Sequence, residues 1–402
     1  MACEDTGNQT QSQRGIATEV VWQGALAGLG DSDAAERLRM RLDGPVPWPE
    51  VVTEAQRLGL APLFHLGSHS SPALRAMVPP PATEALRHAT HLSATRVTRL
   101  ERACADIVMA ATAAGIRILV LKGLALGALV YPSAMARPMD DADLLVTPTD
   151  REKLAAILHG FGYRNDLRGE EDFYVPGMAY SIDLHTGLLN TTRVPARGAL
   201  WPVTFDELWA RSQACILGGI PVRTLGPLDT ILHVAIHAVH HHGLNGARWM
   251  VDLLACLRAW PLDLSDVLDS PSALRRSLWY CLEILAGRGQ DPVSHIRSTI
   301  RPAWVFPAEN WVLAAANKGE VPEAIRYAFT LACLPRWTAK TAFFRQLLFP
   351  RTAVFTDAFK DAGNSAPSRG EHWSLAMQYC RQALKAALAG RTQSSKRSPG
   401  PN

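Results

Sequence analysis

Two kinds of apolar pattern alternate along this chain. Most of it carries apolar residues at intervals of three and four, the spacing that gathers them on one face of a helix. In residues 17–77 the stretches VVWQGALAGL, AAERLRMRL and WPEVVTEAQRLGLAPLFHLG read this way, with Trp48, Val51, Val52, Ala55 and Leu58 along one side of the last. His65 and His69 follow, four apart, but Gly67 and Ser68 between them predict a surface loop. The triplet Pro79-Pro80-Pro81 closes this group, because successive prolines cannot continue a helix. A long helix is predicted over 83–114, and beyond residue 200 nearly everything is helical, including a stretch opened by Pro227 and closed by Gly243.

Between these blocks lie short apolar runs that suit buried strands. Residues 116–121 (IRILVL) form one, ending on Lys122-Gly123, where a helix begins and stops before Pro132. Residues 141–146 (DADLLV) form a second, followed by a helix over 150–158 that stops at Gly160 to Gly162. Residues 172–188 read as a hairpin turning at Pro176-Gly177. The sheet is expected to be mixed and small, with about four or five strands. The predicted class is α+β: 1–17 disordered, an N-terminal helical lobe over 18–80, a small mixed-sheet core over 81–200, a larger helical domain over 201–390, and a disordered basic tail over 391–402.

Strand alternation turns this outline into chemistry. Asp141 and Asp143 project to one side of their strand while Ala142 and Leu144 project to the other. In the hairpin, Asp183 and His185 share a face opposite Ile182 and Leu184. If the two strands are neighbours, three carboxylates converge, and their repulsion is relieved by a divalent cation such as Mg²⁺ or Mn²⁺. Asp140 falls on the opposite side and reads as a loop residue. In the stretch from Pro227 to Gly243, His233, His237, His240 and His241 run beside an apolar stripe. Two readings stay open for them: a metal site that includes Asp229, one turn before His233, or the wall of a ligand cleft. Ligands stacked along a single helix cannot all converge on one ion, which favours the wall. Arg248 and Asp252, four apart, read as a surface pair on a later helix.

Composition narrows the picture further. The 402 residues are 48% apolar and 19% charged with a net charge of +4, which leaves room for several cores and gives no dense basic stripe of the kind that tracks nucleic acid. Seven cysteines, odd in number, scattered and never spaced C-x-x-C, read as buried free thiols in a reducing compartment. The polar start MACEDTGNQTQSQRG lacks the apolar region of a signal peptide. The most apolar window, 105–131, is interrupted by Asp106, Arg117 and Lys122, so no membrane association is expected and a cytoplasmic location follows.

The residues that carry this chemistry also carry a resemblance. Leu121-Lys122-Gly123, then Arg137-Pro138-Met139-Asp140-Asp141-Ala142-Asp143-Leu144-Leu145-Val146, then Asp183-Leu184-His185 resemble, in order and approximate spacing, a bacterial uncharacterised nucleotidyltransferase family of the DNA polymerase β superfamily. The resemblance implies a nucleotidyltransferase core in which Asp141, Asp143 and Asp183 hold Mg²⁺ or Mn²⁺ and act catalytically, while Lys122, Gly123, Arg137 and His237 face the nucleotide. It implies transfer of an NMP, AMP from ATP in the first instance, to a hydroxyl or phosphate acceptor with release of pyrophosphate. The acceptor could be a small molecule, a peptide, a protein or an RNA end; nothing in the sequence names it, nor the oligomeric state. One departure stands out. Leu124 occupies the position where the superfamily has a serine after the glycine, so Lys122, the Gly123 amide and the N-terminus of the following helix must serve the phosphates instead. That departure keeps open a non-catalytic nucleotide-binding or regulatory module, and the histidines keep open a His-dependent metal hydrolase.

Overall fold

The computed structural model describes residues 2–165, 171–189, 191, 194–302, 309–318 and 321–348. The last part of the expected helical domain, 349–390, and the expected tail, 391–402, lie outside them. One mixed sheet is formed by seven strands: β1 (Leu119–Leu121), β2 (Asp141–Leu145), β3 (Arg164–Asn165), β4 (Asp172–Tyr174), β5 (Ser181–His185), β6 (Gln213–Leu217) and β7 (Ile220–Thr224). Their order is β3-β4-β5-β2-β1-β7-β6. β1 runs antiparallel to β2 and parallel to β7, and β2 runs parallel to β5.

The sheet is larger than expected. The hairpin β6–β7 lies beyond residue 200, in sequence read as helical, and adds an edge to the sheet, so a core ending at residue 200 cuts off two of its strands. Its turn is Gly218-Gly219, both with positive φ, a glycine pair of the kind that marks tight hairpins. Each strand is only five residues long with partial alternation, which is too short to break the helical periodicity on either side. The predicted hairpin before β5 is present, with Gly177 at φ +85 in its turn.

Two apolar cores flank the sheet, and alternation decides which residue meets which. Val120, Leu144, Ile182 and Leu184 face the long helix Pro80–Ala113 and the helix Arg151–Gly160, packing with Val97, Leu100, Ile107, Leu154 and Leu158. Leu119, Leu121 and Leu145 belong to the other core, which is continuous from the N-terminal helices through the C-terminal ones. Asp141 and Asp143 share the face of Leu145, so the acids look toward the helical domain. Each fully buried aliphatic side chain in these cores contributes roughly 1.5–3 kcal/mol of transfer free energy.

Two local readings change at the N-terminus. A helix spans Ala2–Gly28, where residues 1–17 were read as disordered: Ala17, Val20, Val21 and Trp22 are buried, and once a turn is anchored, elongation toward the N-terminus adds one hydrogen bond per residue. The loop expected around His65 is the helix Ala61–Ser68. Gly67 is there for approach rather than for a turn, since a Cβ on it would lie 2.0 Å from the Gly24 carbonyl oxygen of the first helix. The five described cysteines whose side chains are placed, Cys104, Cys215, Cys256, Cys281 and Cys333, are free and buried. Among the described residues no helix is long and apolar enough to cross a membrane.

His240, on the helix Pro227–His240, shows how the helical domain accommodates a buried imidazole. Its Nδ1 lies 2.9 Å from Thr330 Oγ1 and its Nε2 lies 3.3 Å from Ser277 Oγ, on two neighbouring helices. Burial pushes its pKa down from 6.5 to about 3. A folded value below the unfolded one means that its stabilising contribution is complete above pH 6.5 and shrinks as pH falls toward 3. The stability of wild type is therefore expected to fall between pH 6.5 and 4 more steeply than that of His240→Gln, by up to about 1.4 kcal/mol per pH unit. Thermal melts at stepped pH measure this, and equal slopes for the two proteins would refute it.

Candidate active site

The site begins with a register. β2 and β5 pair in parallel with Asp141 opposite Ser181 and Asp143 opposite Asp183, so the two central carboxylates emerge side by side on one face. His185 emerges two residues further along the same face, and ligand atoms of Asp143, Asp183 and His185 all lie within 4.8 Å of one another. Asp141 stands at the exposed start of β2 and lines the same pocket, a cavity of about 220 Å³ between the sheet and the helical domain.

Asp143 is the most constrained group. It is 2% exposed, and its Oδ1 accepts a hydrogen bond from Lys122 Nζ at 2.6 Å and another from His185 Nε2 at 2.7 Å. Burial works against its charge, but Lys122 and His185 overcome burial and hold its carboxyl far below the usual carboxylate range. Among the described residues Asp183 has no such partner. Burial, with the charges of Asp143 and Asp141 added, pushes its pKa up to about 7. Two neighbouring carboxylates are thus driven apart in acidity, the asymmetry that a divalent cation shared between them would relieve.

Lys122 reaches Asp143 because of an unusual backbone. β1 pairs with β2 so that Leu121 stands opposite Asp143, and the next residue, Lys122, has φ 44, a left-handed conformation that costs a non-glycine residue on the order of 1–3 kcal/mol. The chain turns there into the helix Lys122–Leu129, which starts without a side-chain cap. Gly123 is required for close approach: a Cβ on it would lie 2.6 Å from Arg137 Nη1 and 3.2 Å from Met139 Sδ. Leu124, where a serine was expected on the resemblance, is 1% exposed and packs in the core beneath the sheet.

The opposite wall is imidazole. His233, His237, His241 and His242 all line the pocket, with the rings of His237 and His241 stacked at 4.4 Å and His237 edge-on to His242 at 4.7 Å. His233 Nε2 is 3.1 Å from the Leu188 carbonyl. Burial holds these rings neutral, His233 and His241 down to about 3 and His237 well below its ordinary value. They form no metal-binding group among the described residues, and Asp229 is instead paired with Arg211.

Arg137 lines the pocket, but its charge is spent elsewhere. Its Nε and Nη2 donate to the two oxygens of Asp252 at 2.8 and 2.9 Å, and the Tyr131 hydroxyl donates to Asp252 Oδ1 at 2.6 Å. The surface pair expected between Arg248 and Asp252 therefore does not form, because Asp252 is buried and both of its oxygens are taken. All seven residues singled out from the sequence, Asp141, Asp143, Asp183, Lys122, Gly123, Arg137 and His237, line this one pocket. His185 and Asp252 line it as well. His185 was legible from its alternation with Asp183, whereas Asp252 was read as the surface partner of Arg248 and is in fact held by Arg137, 115 residues away.

Two carboxylates and an imidazole, gathered on a mixed sheet at the floor of a cleft walled by helices, form a group that could hold a metal ion. The chain belongs to the uncharacterised nucleotidyltransferase family, whose sequence profile matches residues 44–287, more than half its length, and it is accordingly a transferase of that family. No curated protein and no solved structure matches it.

The Arg137–Asp252 pair fastens the sheet-bearing core to the helical domain, and removing one partner leaves the other charge buried alone. Asp252→Ala is expected to cost about 3–5 kcal/mol in urea unfolding, and the apolar pair Arg137→Met/Asp252→Leu is expected to cost less than Asp252→Ala alone. A cost for Asp252→Ala of under about 0.5 kcal/mol would show that the pair holds nothing together.

Proposed function

We propose that this protein is a metal-dependent nucleotidyltransferase that moves a nucleoside monophosphate, AMP in the first instance, from a nucleoside triphosphate to a hydroxyl or phosphate acceptor. The observation that carries the reading is the grouping of Asp143, Asp183 and His185 in a pocket that also holds Lys122 and Gly123 at a helix N-terminus. This donor set fits a divalent ion: two carboxylates and an imidazole within 4.8 Å, one carboxyl left with a pKa of about 7 beside a charged neighbour. Asp143 and Asp183 would hold Mg²⁺ or Mn²⁺, with His185 and Asp141 beside them. When bound, the ion supplies neutralisation of phosphate charge and makes an acceptor hydroxyl more acidic.

The remaining work falls to the chain. Lys122 and the Gly123 amide attract the phosphates at the start of their helix, and the neutral imidazole of His237 faces them from the other wall. An acceptor oxygen attacks the α-phosphorus, the bond to the bridging oxygen of pyrophosphate breaks, and the acceptor proton passes to the Asp183 carboxylate. Catalysis of this kind is chiefly positioning and charge neutralisation, which is why few side chains suffice. The buried free thiols support a reducing, cytoplasmic setting.

The test is pyrophosphate release and label transfer from α-labelled NTPs, with Mg²⁺ or Mn²⁺ and with candidate acceptors. Wild type is expected to turn over and to stop on chelation. Asp143→Asn and Asp183→Asn are expected to lose about a hundredfold or more in rate while still binding nucleotide. Nucleotide binding by wild type with no pyrophosphate release from any NTP would instead support a binding module.

A further inference from the structure

We propose that Arg248 binds the phosphate chain of the nucleotide and that the N-terminal lobe holds it in place through Gly59; this rests on the nucleotidyltransferase reading above. Arg248 is the first residue of the helix Arg248–Ala259, and its exposed side chain lines the pocket. Among the described residues it makes no hydrogen bond and no ion pair. The other two cations lining the pocket already have carboxylate partners, Lys122 donating to Asp143 at 2.6 Å and Arg137 to both oxygens of Asp252 at 2.8 and 2.9 Å. Because Asp252 is taken, the acid four residues along cannot neutralise Arg248. A pocket with an acidic floor suited to a cation therefore has, on its helical side, one planar fork of N–H donors still available, the geometry that matches phosphate oxygens.

The position of that fork is set from outside the helical domain. Gly59 closes the helix Trp48–Arg57 in the left-handed region at φ +67, with Leu60 N–H donating to the Ala55 carbonyl at 2.8 Å. A Cβ on Gly59 would lie 2.6 Å from Arg248 Nη2 and 3.2 Å from its Cζ and Nε, so the guanidinium lies against bare backbone. Glycine thus does two things at this position: it makes the turn, and it leaves the space that Arg248 fills. The lobe, remote from the acids in sequence, touches the chemistry at this point.

Calorimetric titration with α,β-methylene-ATP and with AMP, both with Mg²⁺, tests the proposal without turnover. Wild type is expected to bind the triphosphate analogue about tenfold or more tightly than AMP. Arg248→Ala is expected to lose that preference while AMP affinity stays within about twofold, and Arg248→Lys to fall between. Gly59→Asn keeps a residue that tolerates the left-handed turn but pushes the guanidinium aside, so it is expected to reproduce the loss. Gly59→Asn/Arg248→Ala is expected to be no weaker than Arg248→Ala alone. Thermal melts verify folding, and Gly59→Ala is read in place of Gly59→Asn should the latter not fold. Retention of the triphosphate preference by Arg248→Ala, or its absence in wild type, overturns the role of Arg248. Wild-type affinity in the Gly59 variant, or losses that multiply in the double variant, overturns the role of the lobe. Failure of wild type to bind either nucleotide overturns the nucleotidyltransferase reading along with the proposal.

Discussion

Two carboxylates forced side by side are the constraint from which the rest of this structure follows. The parallel register of β2 and β5 sets Asp143 against Asp183, and neither can turn away, because the alternate positions, Ala142, Leu144, Ile182 and Leu184, are buried in the opposite core. Slipping the register by one residue would turn acids into the apolar core and turn that apolar set toward the pocket, so the arrangement is fixed by packing as well as by hydrogen bonds. The cost of like charges then has to be met locally. Lys122 and His185 converge on a single oxygen of Asp143, and the left-handed turn at Lys122 is the backbone distortion that lets a residue at the end of β1 reach it. Strain of this kind persists only where the surroundings over-determine it, and here a buried ion pair does so.

A second charge problem ties the sheet to the helices that follow it. Arg137 precedes β2, and Asp252 lies on a helix of the helical domain; both are buried, and each is the other's counter-ion. Tyr131, whose hydroxyl burial and Asp252 hold firmly protonated, donates the third hydrogen bond. A buried ion pair of this geometry adds little net stability relative to apolar packing, but it is strict about orientation, since misplacing either wall by an ångström strands two charges. Its effect on the site is indirect. By occupying Asp252 it decides which guanidinium of the pocket is neutralised and which is not.

Much of this was legible in the sequence because it depends on short-range periodicity. The faces shared by Asp141 and Asp143, and by Asp183 and His185, follow from the period of two, and the stop signals around Gly123, Pro132 and Gly177 place the strands that carry them. The β6–β7 hairpin was missed for a physical reason: five-residue strands inside a long apolar region carry too few alternations to be told from helix, although Gly218-Gly219 marked the turn. The first helix was cut short because polar residues report on solvent exposure, not on whether a helix anchored downstream can elongate through them. The Arg248–Asp252 pairing failed because spacing along one helix says nothing about a competitor arriving from 115 residues away, and the bidentate contact from Arg137 won. Leu124 shows the converse, a motif position given over to core packing.

The histidines on the opposite wall make sense only in terms of charge. Four imidazoles within a few ångströms of one another would, if protonated, repel each other and any metal ion held by Asp143 and Asp183. Burial prevents this by keeping His233, His237 and His241 neutral. A neutral imidazole offers one donor and one acceptor, so a wall of them can meet phosphate or hydroxyl oxygens without adding a net positive field that would weaken a cation opposite. Lysines or arginines in those places would bind an anion more strongly but would compete for the carboxylates with any metal ion held there. The pocket therefore separates its charges: negative charge on the sheet, neutral imidazoles along the histidine wall, and positive charge at Lys122, Arg137 and Arg248.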